Sequence, residues 1–203
     1  MTDSLSIIQS FDLDKYLKII LLENKSNTLP YHNIYHILCM VKHVRNFSYS
    51  SELSQLEIKN LIIAVLFHDF NHSGGKLTDD KNIEVAITEF KKHSEESDEN
   101  TNKIINIIKA TQYPYVLEDT ELNISQKIIR DADMCQVFMD NKIQQVIFGL
   151  GVQEMDKSLK ETLPHQIAFL TNLKMHTEQG KYMLEMYKKN ILKELNYLNI
   201  LIQ

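Results

Sequence analysis

The chain has 203 residues, 43% of them hydrophobic and 24% charged, with a formal net charge of −5. That balance excludes a disordered chain, the length suits one hydrophobic core, and a net negative field gives no electrostatic footprint for a nucleic-acid polymer. One domain over residues 1–203 is therefore expected.

The five glycines and three prolines are few turn formers for this length, which favours long helices over many short strands. The first periodic segment runs from Asp12 to Leu22, with Leu13, Leu17, Ile20 and Leu21 on one face. Asn33 to Phe47 repeats the pattern at Ile34, Ile37, Leu38, Val41 and Val44. Ser54-Gln55-Leu56-Glu57 matches a capping box. It opens a helix that reaches about Phe70 and turns apolar on all sides, as a central helix does. Asn71-His72-Ser73-Gly74-Gly75 breaks the pattern, and a polar stretch extends to Asp80. Further helices are predicted over Asn82 to His93 and Thr101 to Thr111, separated by an acidic connector, Ser94 to Asn100. Tyr113 to Glu121 reads as a loop, followed by helices over Ile124 to Met139 and Lys142 to about Leu150. Ser158 to Ile202 reads as two helices divided near Gly180, with Pro164 at a helix start or a kink. A stripe of Leu184, Ile191, Leu195 and Leu198 is expected in the core, with a homodimer contact as its other use; a monomer or homodimer follows. No segment alternates, so the expected fold is an all-α, single-domain helical bundle.

Cys39 and Cys135 lie in apolar contexts with no CxxC pair, so a reducing cytoplasm is expected. Met1-Thr2-Asp3-Ser4 has neither the basic start nor the apolar core of a secretion signal. The longest apolar run, Leu61 to Phe67, is far short of a membrane span.

Three stretches carry the chemistry: Tyr31-His32-Asn33-Ile34-Tyr35-His36, Leu66-Phe67-His68-Asp69-Phe70-Asn71-His72, and Arg130-Asp131-Ala132-Asp133-Met134. His68 and Asp69 end the most apolar helix, where an unpaired carboxylate is costly and a partner or a metal is expected. Adjacent helical residues diverge by about 100°, so both reach one ion only where the helix frays. His32 and His36 are four residues apart, as are His68 and His72, so each pair can share a face. Two imidazoles and two carboxylates suit a divalent ion such as zinc, manganese, iron or magnesium.

This pattern of His, His-Asp and a distant Asp resembles the HD superfamily of metal-dependent phosphohydrolases, which implies a bundle of the HD-domain type. The first two stretches resemble motifs of the class I cyclic-nucleotide phosphodiesterases. Ile107-Ile108-Lys109-Ala110-Thr111 and Asp131-Ala132-Asp133-Met134 are more similar to small bacterial HD phosphohydrolases. The resemblance spans Tyr31 to Met134. It implies that His36, His68, Asp69 and Asp133 hold a first ion. Asp69 would bridge to a second, mostly water-held ion, and water activated between the two would be the nucleophile. His32 matches the general acid, and His72 would orient water or ligand. Asn33 would order the backbone near His32, and Glu84 would touch waters of the second ion. Gln136 and Gln166 are candidates for that family's purine-binding glutamine. Lys76 and Arg130 are candidate phosphate contacts, with solvation and a bridge to Asp131 as their other roles. His43 is expected to be packed, His165 and His176 to lie at the surface, and His93 to end a helix.

The expected function is hydrolysis of a phosphoester in a small, nucleotide-like substrate, with cyclic nucleotides as the finer expectation. Alternatives are a di-iron oxygenase of the same superfamily, which would recruit His72 and His93 as extra ligands, and a nucleotide sensor without turnover.

Overall fold

The computed structural model describes residues 2–203, and every regular element in that range is helical. The α-helices are α1 (Thr2–Ser10), α2 (Asp14–Glu23), α3 (Ile34–Ser48), α4 (Gln55–Phe67), α5 (Asp79–His93), α6 (Asp98–Lys109), α7 (Ile124–Met134), α8 (Leu159–Asn172) and α9 (Glu178–Leu201). Short 3₁₀ turns cover Lys25–Thr28 and Cys135–Phe138, and a π-helix covers Ile143–Glu154.

Helix α4 forms the axis of the bundle. It is buried from Leu61 through Phe67 on every side and contacts α2, α3, α5, α6 and α7. Its start is the capping box read from the sequence: Ser54 and Glu57 exchange side-chain-to-backbone hydrogen bonds. No helix among the described residues is long and apolar enough to cross a membrane.

Several boundaries move for identifiable reasons. Helix α1 was not expected; it docks through buried Ile8 and through Ser4 Oγ, which donates to Leu38 O at 2.6 Å. Helix α5 starts at Asp79 and α6 at Asp98, so acidic residues expected in connectors occupy first turns, where the helix dipole favours them. The segment predicted as one helix to Met139 tightens to a 3₁₀ turn after Met134, and the next segment is wound as a π-helix reaching Glu154. The close approach of α8 requires Gly151 on that π-helix: a Cβ there would stand 2.2 Å from Thr162 Cγ2.

The division expected near Gly180 lies between Asn172 and Glu178, and Asp131 is its cause. From α7 this buried carboxylate accepts hydrogen bonds from His176 N, Thr177 N and Thr177 Oγ1 at 2.7 to 3.0 Å. Gly180 lies inside α9 because it passes over the same carboxylate; a Cβ would meet Asp131 Oδ2 at 2.4 Å. His176 is therefore not at the surface. Its ring bridges Asp131 and Asp119 at 2.9 Å each, and the hydrogen bond to Asp131 is the main reason its pKa is raised. Pro164 stands inside α8, not at its start. Of the α9 stripe, Ile191 and Leu195 are buried, and Leu184 and Leu198 pack against the core.

Two measurements test this packing. Gly180→Ala should lower stability by about 1–3 kcal/mol in denaturant titration, because the new methyl displaces the Asp131 carboxylate. Buried His43 is held neutral, with its pKa lowered to about 4 by burial and by Lys42. A histidine with a lowered folded-state pKa costs stability as pH falls from its unfolded value of about 6.5, where only the unfolded chain takes up the proton. His43→Leu should remove up to about 3 kcal/mol of the stability loss between about pH 6.5 and 4. Matching pH slopes in parent and variant would contradict this.

Candidate metal centre

The loop before α3 is fixed by Asn33. Its Oδ1 accepts from Tyr35 N at 2.8 Å and His36 N at 3.4 Å, while its Nδ2 donates to Leu29 O and Pro30 O. Asn33 thus orders the backbone around His32, as expected, and the helix cap uses its side chain. His36 follows in the first turn of α3 and is buried.

His68 is the last residue hydrogen-bonded into α4, and Asp69 begins the turn beyond it. Because the helix stops there, two consecutive side chains converge. Nδ1 of His68 lies 2.8 Å from Val65 O and so carries the hydrogen. The lone-pair side of its ring, Nε2, then faces Asp69 Oδ2 at 3.0 Å. Both atoms are buried without a hydrogen-bond partner. His36 Nε2 stands 3.1 Å from Asp133 Oδ1 and 3.6 Å from Asp69 Oδ2. The packing of α7 on α3 brings Asp133 to this point.

Two acceptors pressed together out of water need a positive charge between them. The electrostatics say the same. Burial opposes charge on His68, yet Asp69 and Asp133 outweigh it and raise its pKa to about 9. Burial alone would raise Asp69, yet His68, His32 and His72 hold it well below the usual carboxylate range. Without a metal, a proton has to fill the gap. The ligand atoms of His36, His68 and Asp69 lie within 4.8 Å of one another, an arrangement that can hold a metal ion, and Asp133 adjoins through His36.

A second cluster stands alongside. Glu154, at the end of the π-helix, accepts from Tyr31 N and from His32 N at 2.9 Å through Oε1, and from His32 Nδ1 at 2.5 Å through Oε2. Burial works against its charge, but the His32 hydrogen bond lowers its pKa. The His72 ring stacks on His32, centroids 3.7 Å apart. Gly74 N donates to His72 Nδ1 at 3.1 Å, and the Asn82 amide meets Nε2 at 3.0 Å. His32, His72 and Glu154 also group within 4.8 Å, but there the carboxylate is satisfied by the His32 ring and two backbone N–H groups, and the His72 nitrogens face Gly74 N and the Asn82 amide. Glu154 escaped the sequence reading; its one trace is an acid two residues beyond the run Val146 to Val152, which has no polar side chain.

Both clusters open onto a cavity of about 320 Å³, also lined by Met134, Val137, Val146 and Leu150, and by Gln166 and Phe169 of α8. Four other candidates lie elsewhere. Glu84 is exposed, bound by Lys81 through both oxygens, and off the cavity wall. Arg130 is buried beneath the Tyr115 ring and off the cavity wall; Nε donates to Ala110 O and Nη2 to Leu117 O, and Nη1, without a hydrogen-bond partner, stands 3.8 Å from Asp119. Lys76 is exposed and off the cavity wall. His93 packs on Phe67 and Phe70 and pairs with Glu23 and Glu89, off the cavity wall. His43 is packed in the bundle as expected, and exposed His165 lines the cavity mouth.

No protein-family model and no curated protein matches this chain.

If the cluster holds a divalent ion, manganese or zinc at about 100 times its Kd should stabilise the protein by about 2.7 kcal/mol, a rise in Tm of about 5–10 °C. Asp69→Ala should abolish both the shift and the bound metal measured after dialysis. An equal shift in the variant would place the metal elsewhere.

Proposed function

We propose that the protein is a metal-dependent phosphohydrolase of HD-superfamily type that cleaves a phosphoester of a nucleotide-like substrate. The observation that carries this reading is the pair of clusters on one cavity wall: buried acceptors that demand a cation, and beside them a histidine held by a buried carboxylate. His36, His68, Asp69 and Asp133 would hold the ion. A bound divalent ion supplies Lewis-acid polarisation of the phosphoryl group and lowers the pKa of an attacking water.

The chain's own residues supply the rest. Glu154 fixes Nδ1–H of His32, so the proton available to a leaving oxygen is the one on Nε2. The same carboxylate holds the backbone of Tyr31 and His32, which leaves the ring little freedom to turn. His72 stacks beneath the ring and keeps its face from water. In the same cavity, Gln166 and Phe169 are three residues apart on α8 and share a face, an amide and a ring that suit a nucleobase. Gln136, the other glutamine considered, is buried off the cavity. Lys157 is the one Lys or Arg on the described wall, which fits a substrate with few phosphates. The di-iron alternative needs His93, and His93 is engaged elsewhere. Cyclic-nucleotide phosphodiesterase is the finer form of the proposal.

A panel of cyclic nucleotides, nucleoside monophosphates and an aryl phosphodiester, assayed with manganese, magnesium, zinc or iron, tests it. Turnover should depend on metal and vanish in Asp69→Ala. His32→Ala should lose about 10²–10⁴ in kcat with metal content unchanged, and Glu154→Gln should fall in the same direction. Full activity in His32→Ala, or no turnover on any phosphoester by metal-loaded protein, would sink the proposal.

A further inference from the structure

The 320 Å³ cavity is not the end of the cleft. A second cavity of about 410 Å³ adjoins it, and Tyr113, Met134, His165 and Phe169 line both. Met134 directly follows Asp133 on α7, so the partition between the two stands one residue from the metal cluster. The second cavity is bounded by the Tyr113–Asp119 loop, by Asn172 at the end of α8, and by Lys174 beyond it.

Its chemistry is that of a planar-ring subsite. Tyr113 is 49% exposed and meets Tyr115 and Phe169 edge-on, with centroids 5.5 and 6.2 Å away, leaving ring surface open. The charges that could repel an anion are already engaged: Asp119 takes the His176 ring at 2.9 Å and lies 3.8 Å from Arg130. Lys174 is exposed on the rim with no carboxylate within 4.0 Å among the described residues, though its charge helps to lower the Asp119 pKa, and Asn172 adds amide donors and acceptors. Aromatic faces beside a cation and an amide are the features that bind a nucleobase and its anionic backbone.

We propose that this compartment is a second nucleobase subsite, and that the substrate is a phosphodiester carrying a nucleoside on each side of the phosphate. One base would lie against Gln166 and Phe169, the other against Tyr113. The subsite stands on its own lining residues; its use in turnover rests on the phosphohydrolase reading above.

The test compares Kd for adenosine monophosphate and for the dinucleoside monophosphate adenylyl-adenosine, measured calorimetrically on the manganese-loaded protein. The dinucleotide should bind at least about tenfold tighter, the gain expected from one stacked base. Tyr113→Ala and Lys174→Ala, both at exposed positions, should each erase most of that gain, and Lys174→Ala should leave mononucleotide binding unchanged. Equal affinity for the two probes, or a gain that survives both variants, would overturn the subsite. A tenfold gain in a protein that hydrolyses no phosphoester would uphold the subsite and overturn the hydrolase reading instead.

Discussion

Two buried lone pairs, on Nε2 of His68 and Oδ2 of Asp69, face each other across 3.0 Å. Nδ1 of His68 already spends its hydrogen on Val65 O, so only a proton on Nε2 or a cation between the two relieves that contact. The fold accepts the cost because α4 is buried on all sides and ends at this point, so its last two polar residues are delivered into the interior rather than to water. An isolated pair of this kind would be expelled or protonated. Here α3 adds His36 and α7 adds Asp133, which turns a local liability into a place built for a cation.

The neighbouring cluster solves the opposite problem. Glu154 is as buried as the metal-binding residues, yet each of its oxygens has a donor in Tyr31, His32 or the His32 ring. Satisfied and unsatisfied carboxylates thus stand on the same wall: one group could hold a metal ion, and the other fixes the orientation of the His32 ring. The π-helix matters to this division. Its wider winding carries Glu154 under the Tyr31–His32 backbone, and such windings often occur at functional sites.

Asp131 plays the corresponding part for the far wall of the cleft. It lies two residues before Asp133 on α7 but points the other way, where it caps the start of α9. Gly180 and Gly151 let α9 and the π-helix approach their neighbours closely. Helix α8, held between them, presents Gln166 and Phe169 to the cavity. One short helix therefore positions Asp133 in the His/Asp cluster and, through Asp131, the start of α9 against which α8 packs.

Much of the site was legible in the sequence because its physics is local. The apolar periodicity of α3 and α4, the Ser54–Glu57 cap, and the i, i+4 histidines specify helices with polar residues at their ends, so the all-helical fold could be anticipated; the grouping of His36, His68, Asp69 and Asp133 was what the family resemblance implied. Glu84 and Arg130 could not be placed, since sequence shows that a charge exists but not whether Lys81, or the carbonyls of Ala110 and Leu117, already hold it. Glu154 lies more than a hundred residues from His32, and no local signal links them. Helix periodicity and capping follow from neighbours along the chain, and the sequence determined those. Which charges meet, which are consumed, and which face a cavity depend on contacts between distant segments, and only the tertiary structure decided them.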